Sequence, residues 1–242
     1  MCGIVGCVTE GDDAPKLLVD GLRRLEYRGY DSAGIAVIQD GVIETLREAG
    51  KLANLESTLK GSTIRGGTGL GHTRWATHGR PTQINAHPHR DASGKVVVVH
   101  NGIIENFREL RAQLESEGTT FVSDTDSEVI AHLVARNYEG DLAQAVCRSA
   151  AVLRGAWAIG VMHADQPDRL VAARKDCPLV IGLGEDANYL ASDVTAIMDL
   201  TRRVVFLREG EIAAIDRNSL EVFHADGQKV DWVATEIGWS LA

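Results

Sequence analysis

Proline and aromatic residues are scarce in this chain, with 5 prolines and 5% aromatic side chains among 242 residues. So little proline excludes a stiff Pro-rich linker. Cysteine is sparse too: the 4 residues are Cys2, Cys7, Cys147 and Cys177. They make neither a CxxC pair nor a dense framework. A disulfide scaffold is thereby excluded, and a reduced, cytoplasmic setting is expected. Positive charge is in deficit: 25 Lys and Arg stand against 34 Asp and Glu, a formal net charge of −9. An acidic chain without a basic run suits neither nucleic acid nor an anionic membrane surface, and neither is expected as a partner. No apolar run approaches a bilayer span, and the N-terminus lacks the basic and apolar regions of a secretory signal. What is present is an ordinary globular balance, 44% hydrophobic and 24% charged. That length and balance suit one large domain or two small ones. Glycine, at 25 residues, implies many tight turns and close backbone approaches.

Local patterns predict strands over Ile4–Val8, Ala33–Ile38 and Val42–Leu46, the last two joined by an Asp40-Gly41 hairpin turn. Pro15 opens a helix carrying Leu17, Leu18, Gly21, Leu22 and Leu25 on one stripe. The β-branched run at Lys95–Val99 predicts a strand buried on both faces. Asn106–Glu117 reads as a helix stopped by Gly118, and Leu142–Leu153 as another. Thr125-Asp126-Ser127-Glu128 has capping-box spacing ahead of a third helical face. The later chain reads as strands, with hairpin turns at Glu209-Gly210 and Asp226-Gly227. Clustered helices among hairpins predict an α+β fold with mainly antiparallel sheet.

Four segments bear chemistry. If the initiator Met1 is trimmed, Cys2 becomes the terminal residue and carries a thiol and an α-amine together. Their free pKa values, about 8.5 and about 7.7–8.0, allow cheap proton transfer near neutral pH. A terminal amine serving its own nucleophile is one known form of activation. The other reading of Cys2 is a packed, inert thiol at a strand start. Gly71–Gly79 holds Arg74, two hydroxyls and two imidazoles between glycines. It is either a polar loop or a carboxylate site, with Arg74 as a bidentate fork and Thr77 as a further donor. His100-Asn101-Gly102 is either a strand-to-turn sequence or an oxyanion hole, built from the Asn101 amide and the Gly102 N–H. Ser123–Glu128 is a helix start; Asp126 can also meet a substrate ammonium.

Two further patterns carry less. Five of the 8 histidines lie between His72 and His100, and His87 alternates with His89. No Cys partner or HExxH spacing accompanies them, so no metal site is expected. Gly182-Leu183-Gly184 with Ala187 mimics a dinucleotide loop, but no long helix follows.

The ordered blocks Cys2–Gly6, Glu26–Gly34, His72–Gly79, Asn85–His89, His100–Asn106 and Ser123–Asp126 resemble the glutaminase domains of the glucosamine-6-phosphate synthase family, which are class II glutamine amidotransferases. The phosphoribosyl-type amidotransferases share the terminal Cys and the Asn-Gly; the wording around Arg28 and Arg74 is closer to the synthases. The resemblance implies an N-terminal-nucleophile hydrolase fold, a four-layer αββα sandwich of two antiparallel sheets. It implies that Cys2 attacks the side-chain amide of L-glutamine, forming a thioester and releasing ammonia. Asn101 and the Gly102 N–H hold the oxyanion. Arg74, Thr77 and His78 grip the α-carboxylate, and Asp126 the α-ammonium. Trp75 belongs to a loop closing over glutamine, His87 lies close by, and Arg28 supports Cys2. No cofactor is implied. Residues 1–242 are expected to form one glutaminase domain. The family's sugar-isomerase domains, which take fructose 6-phosphate, are not in this chain, and the full-length enzyme is expected to be a homo-oligomer. The competing expectations are a phosphoribosyl-type glutaminase domain and a glutamine-sensing module without catalysis.

Overall fold

The computed structural model describes residues 2–75 and 79–238. The expectations for Met1, Thr77 and His78 lie outside the described residues. The chain begins with β1 (Gly3–Thr9), α1 (Ala14–Leu25) and a 3-10 turn at Glu26–Arg28. Next come β2 (Ser32–Gln39), β3 (Val42–Ala49), α2 (Leu52–Lys60) and β4 (Thr68–Arg74). The middle of the chain forms β5 (His89–Arg90), β6 (Val96–Gly102), α3 (Phe107–Ser116), α4 (Glu128–Asn137) and α5 (Leu142–Ala150). The remainder is β7 (Trp157–His163), β8 (Arg169–Lys175), β9 (Val180–Leu183), β10 (Ala187–Ala191), β11 (Arg203–Phe206), β12 (Glu211–Asp216), β13 (Leu220–His224), β14 (Lys229–Val230) and β15 (Thr235–Glu236).

Among the described residues the strands make two sheets, ordered β15-β11-β9-β10-β1-β4-β2-β3 and β14-β13-β12-β8-β7-β6-β5. Neighbouring strands run antiparallel throughout. The sheets stack face to face, with α1 and α2 outside one and α3–α5 outside the other, giving the expected αββα order.

Strand period explains the layering. In β6, Val96 and Val98 pack under α3–α5, while Val97 and Val99 face the other sheet. All four are fully buried. A continuous apolar run is what a strand covered on both faces requires. In α1, Pro15 sits in the first turn, and Leu18, Leu22 and Leu25 bury one stripe against β1 and β2. Asp40 and Gly41 turn the β2–β3 hairpin with φ of +51° and +79°, as a type I′ turn demands.

Several local expectations are corrected. α4 starts at Glu128 with Ser127 preceding it, and the Ser127 side chain does not cap the helix. Thr125 is no capping-box residue either: its hydroxyl meets His89 Nε2 at 3.1 Å and Ser123 Oγ at 3.0 Å. Glu128 instead accepts from the Val122 and Ser123 amides and the Ser123 hydroxyl, fastening the loop that carries Asp126. Glu209-Gly210 is not a hairpin turn, because β11 and β12 belong to different sheets. The dinucleotide-like glycines lie at the β9–β10 connection, where Gly184 N donates to Ala187 O at 2.8 Å.

β1 and β4 are central neighbours in one sheet, and β6 lies in the other. Gly3 pairs with Thr73, so Cys2, just before β1, falls beside Arg74 at the end of β4. Asn101 and Gly102 end β6 at the same edge of the sandwich.

Candidate active site

A cavity of about 300 Å³ opens at that edge. That is the lower end of the usual small-ligand range. Cys2, Asn101, Gly102 and Arg28 all line it, and so do Arg74, Trp75, His87 and Asp126. Every expected site residue that is described therefore reaches one cavity, from segments far apart in sequence.

The Cys2 thiol is held by the backbone of Trp75: the amide donates to Sγ at 3.2 Å, and the thiol faces the Trp75 carbonyl at 3.6 Å. Burial raises its pKa, and the hydrogen bond from Trp75 pulls the other way. The Trp75 ring is half exposed and stands edge-on to Tyr30, with centroids 5.5 Å apart.

Asn101 joins the two sheets here. Its Nδ2 donates to the Cys2 carbonyl at 3.0 Å, and its Oδ1 lies 3.0 Å from His72 Nε2. Gly102 follows with φ +116°, and a Cβ there would sit 2.1 Å from the Ala156 carbonyl. Only glycine fits that approach.

Arg74 and Asp126 supply opposite charges. Arg74 is buried, and its guanidinium donates to the carbonyls of Gly79 at 3.2 Å and Arg80 at 3.4 Å. Burial lowers its pKa, while Cys2, Asp126 and Asp31 favour the cation. Asp126 is buried, and its Oδ2 accepts from the Ile104 amide at 2.8 Å. Arg28 pairs with Asp193 at 2.9 Å.

His87 belongs to a buried histidine floor. Its Nε2 meets Ser127 Oγ at 3.2 Å, and the same hydroxyl meets His100 Nδ1 at 2.8 Å. The His87 ring stacks on His72 with centroids 4.1 Å apart and lies edge-on to His89 at 4.5 Å. Burial lowers all four pKa values, with His72 and His89 at about 3 and His87 well below its usual range. Among the described residues, no group of three or more His, Cys, Asp or Glu is arranged to hold a metal ion. The loop reaches the site because Gly34 in β2 leaves room: a Cβ there would lie 2.2 Å from the His87 carbonyl.

Nothing in the sequence singles out Cys177 from the other cysteines. Cys177 is half buried and lines the cavity beside Pro178. Sequence reasoning missed the link from Ser127 to His87 and His100. Their proximity in one cavity is a product of the tertiary fold, and no local signal announces it.

Residues 72–199 match the family model described as glutamine amidotransferase domain, more than half of the chain. The chain belongs to the glutamine amidotransferase family. More particularly, it is 52% identical over 235 residues to the glutamine–fructose-6-phosphate aminotransferase (isomerizing) of Escherichia coli K12, covering 95% of this chain and 38% of that one. The enzyme of the same name from Gloeobacter violaceus is 50% identical over 242 residues, covering 99% and 40%. The chain thus spans about two fifths of the length of these curated relatives. Among solved structures, the glutamine phosphoribosylpyrophosphate amidotransferase of B. subtilis superposes with a TM-score of 0.79 at 27% identity, covering 93% of this chain and 49% of that one. No helix among the described residues is long and apolar enough to cross a membrane.

Proposed function

We propose that this chain is a glutaminase domain that hydrolyses the side-chain amide of L-glutamine to glutamate and ammonia. One observation carries the reading: a single cavity is lined by the Cys2 thiol, the Asn101 amide, the Arg74 guanidinium and the Asp126 carboxylate. A zwitterionic amino acid needs one cationic and one anionic contact, and Arg74 and Asp126 are that pair.

In this reading Met1 is removed and the freed α-amine of Cys2 takes the thiol proton. The sulfur attacks the δ-carbon of glutamine. Asn101 Nδ2 and the Gly102 N–H stabilise the oxyanion that forms. The tetrahedral intermediate collapses as the protonated α-amine gives its proton to the leaving nitrogen. Ammonia departs and a thioester remains on Cys2. Water then adds to the thioester, with the α-amine as base, and glutamate leaves as the thiol is restored. Thr77 and His78 assist Arg74 at the α-carboxylate. Trp75 covers the bound amino acid, His87 lines the same site, and Arg28 braces the segment beside Cys2.

Residues 1–242 are then one glutaminase domain of a longer cytoplasmic, homo-oligomeric enzyme that passes ammonia to fructose 6-phosphate, yielding glucosamine 6-phosphate. Identities of 52% and 50% to aminotransferases of that name, against 27% to the phosphoribosyl enzyme, favour this acceptor.

The test is ammonia and glutamate release by the chain with Met1 removal verified by mass, beside Cys2→Ala. We expect turnover in the first and at least about a 10⁴-fold loss in the second, with folding intact. Equal turnover in both would overturn the nucleophile. Glutamine binding without turnover in the trimmed wild type would favour a sensing module.

A further inference from the structure

We infer that His72 is a positioning residue, which holds the Asn101 side-chain amide so that it donates into the cavity instead of accepting from it. The inference deepens the glutaminase reading and rests on it.

Two main-chain carbonyls decide the geometry. The Cys2 carbonyl can only accept, so the Asn101 atom facing it at 3.0 Å is the donor Nδ2. The His100 carbonyl can only accept as well, so His72 Nε2, 2.9 Å away, carries a proton. That Nε2–H also faces Asn101 Oδ1 at 3.0 Å. Both ends of the amide are thereby assigned, and the assignments agree. A flipped amide would set NH₂ against the imidazole N–H and the amide oxygen against the Cys2 carbonyl, two repulsive contacts in a buried site.

The ring is fixed by its surroundings. His72 is completely buried, and its Nδ1 has no hydrogen-bond partner among the described residues. A proton moved from Nε2 to Nδ1 would strand one buried N–H and orphan two acceptors. Stacking on His87 holds the ring plane, and burial keeps His72 uncharged, with its pKa down at about 3. With one Nδ2 proton on the Cys2 carbonyl, the other is the proton Asn101 can give to a developing oxyanion. His72 thus acts through Asn101 and touches no reacting atom itself.

The test compares His72→Leu, His72→Asn and His72→Gln with wild type in glutamine hydrolysis. Gln carries its amide nitrogen near the position of Nε2; Asn is polar but too short to reach. We expect His72→Leu and His72→Asn to lose about 10²–10³-fold in kcat, as for one preorganised donor. KM should stay within about threefold, because the contact acts on the transition state. His72→Gln should recover at least about tenfold of the loss. Unchanged kcat in the short variants, a loss confined to KM, or no recovery with Gln would overturn the positioning role. Wild type without turnover would instead sink the glutaminase reading. The positioning claim then rests on ¹⁵N spectra. An Nε2-protonated His72 beside one slowly exchanging Asn101 NH₂ pair supports it, and an Nδ1-protonated ring overturns it.

Discussion

Strands β4 and β6 are apolar at mid-length and polar at their ends. Leu70 of β4 and Val97 and Val99 of β6 meet in the apolar layer between the sheets. Immediately beyond, the same strands present His72 and Arg74, and His100 and Asn101, all buried. The two regions share backbone, burial and sheet, yet their rules differ. The mid-sandwich layer works by volume and tolerates apolar side chains that conserve it. The end works by donor and acceptor matching, where one lost partner leaves another group unsatisfied. Core strength and site order can therefore be perturbed separately, although only Gly71 separates Leu70 from His72.

The largest separation should come from Leu70→Ala. Leu70 is completely buried, packed where Gly6 and Gly160 bring the sheets close. We expect a loss of about 2–5 kcal/mol, seen as a fall in Tm of roughly 5–20 °C. KM for glutamine should be unchanged below the transition. A changed KM with an unchanged Tm would erase the distinction between the two regions.

At the polar end, Arg74→Ala and Asp126→Ala should each lower kcat/KM by about 10–150-fold, the worth of one charged hydrogen bond. Steady-state kinetics check this, and the loss should appear mainly in KM. Loss in neither variant would remove the amino-acid anchor.

The histidine floor should also give the protein an early acid limb. Folded His72 and His89 protonate only near pH 3, whereas free imidazole does so near 6.5. Between those values the unfolded chain binds protons that the folded chain does not. Stability is therefore complete above about pH 6.5 and falls as pH drops toward 3. Urea titrations across that range should show the decline, and His89→Gln should flatten it. A flat profile above pH 5 would mean the floor accepts charge. The smallest effect is expected outside both regions: Lys95→Ala breaks an exposed 3.1 Å pair with Asp165 and should cost under about 1 kcal/mol by thermal denaturation.

Where local pattern and final environment agree, the elements were legible. The β-branched run of β6, the stripe of α1 and the Asp40-Gly41 turn each need little beyond their own residues. β4 was not legible: Thr68–Arg74 has one large apolar side chain, Leu70, and two glycines, yet every residue is buried. It is a strand because β1 and β2 supply hydrogen bonds on both sides. Thr125 was misread for a related reason: its hydroxyl finds His89 across the fold, so it does not cap the helix. Glu209-Gly210 has hairpin chemistry but links strands that the topology sends to different sheets.

The sequence by itself determined an α+β class with mainly antiparallel sheet and the candidate inventory of the site: a near-terminal thiol, an Arg, an Asp and an Asn-Gly at a strand end. Residue type and spacing suffice for that, because side-chain chemistry and strand or helix period are local properties. Only the tertiary structure decided that Cys2 and Arg74 from one sheet meet Asn101 from the other. It alone set Cys177 at the cavity wall and the His72 proton on Nε2. Those outcomes depend on which carbonyls and hydroxyls come within about 3 Å in a buried space, and the partners lie tens of residues apart in the chain.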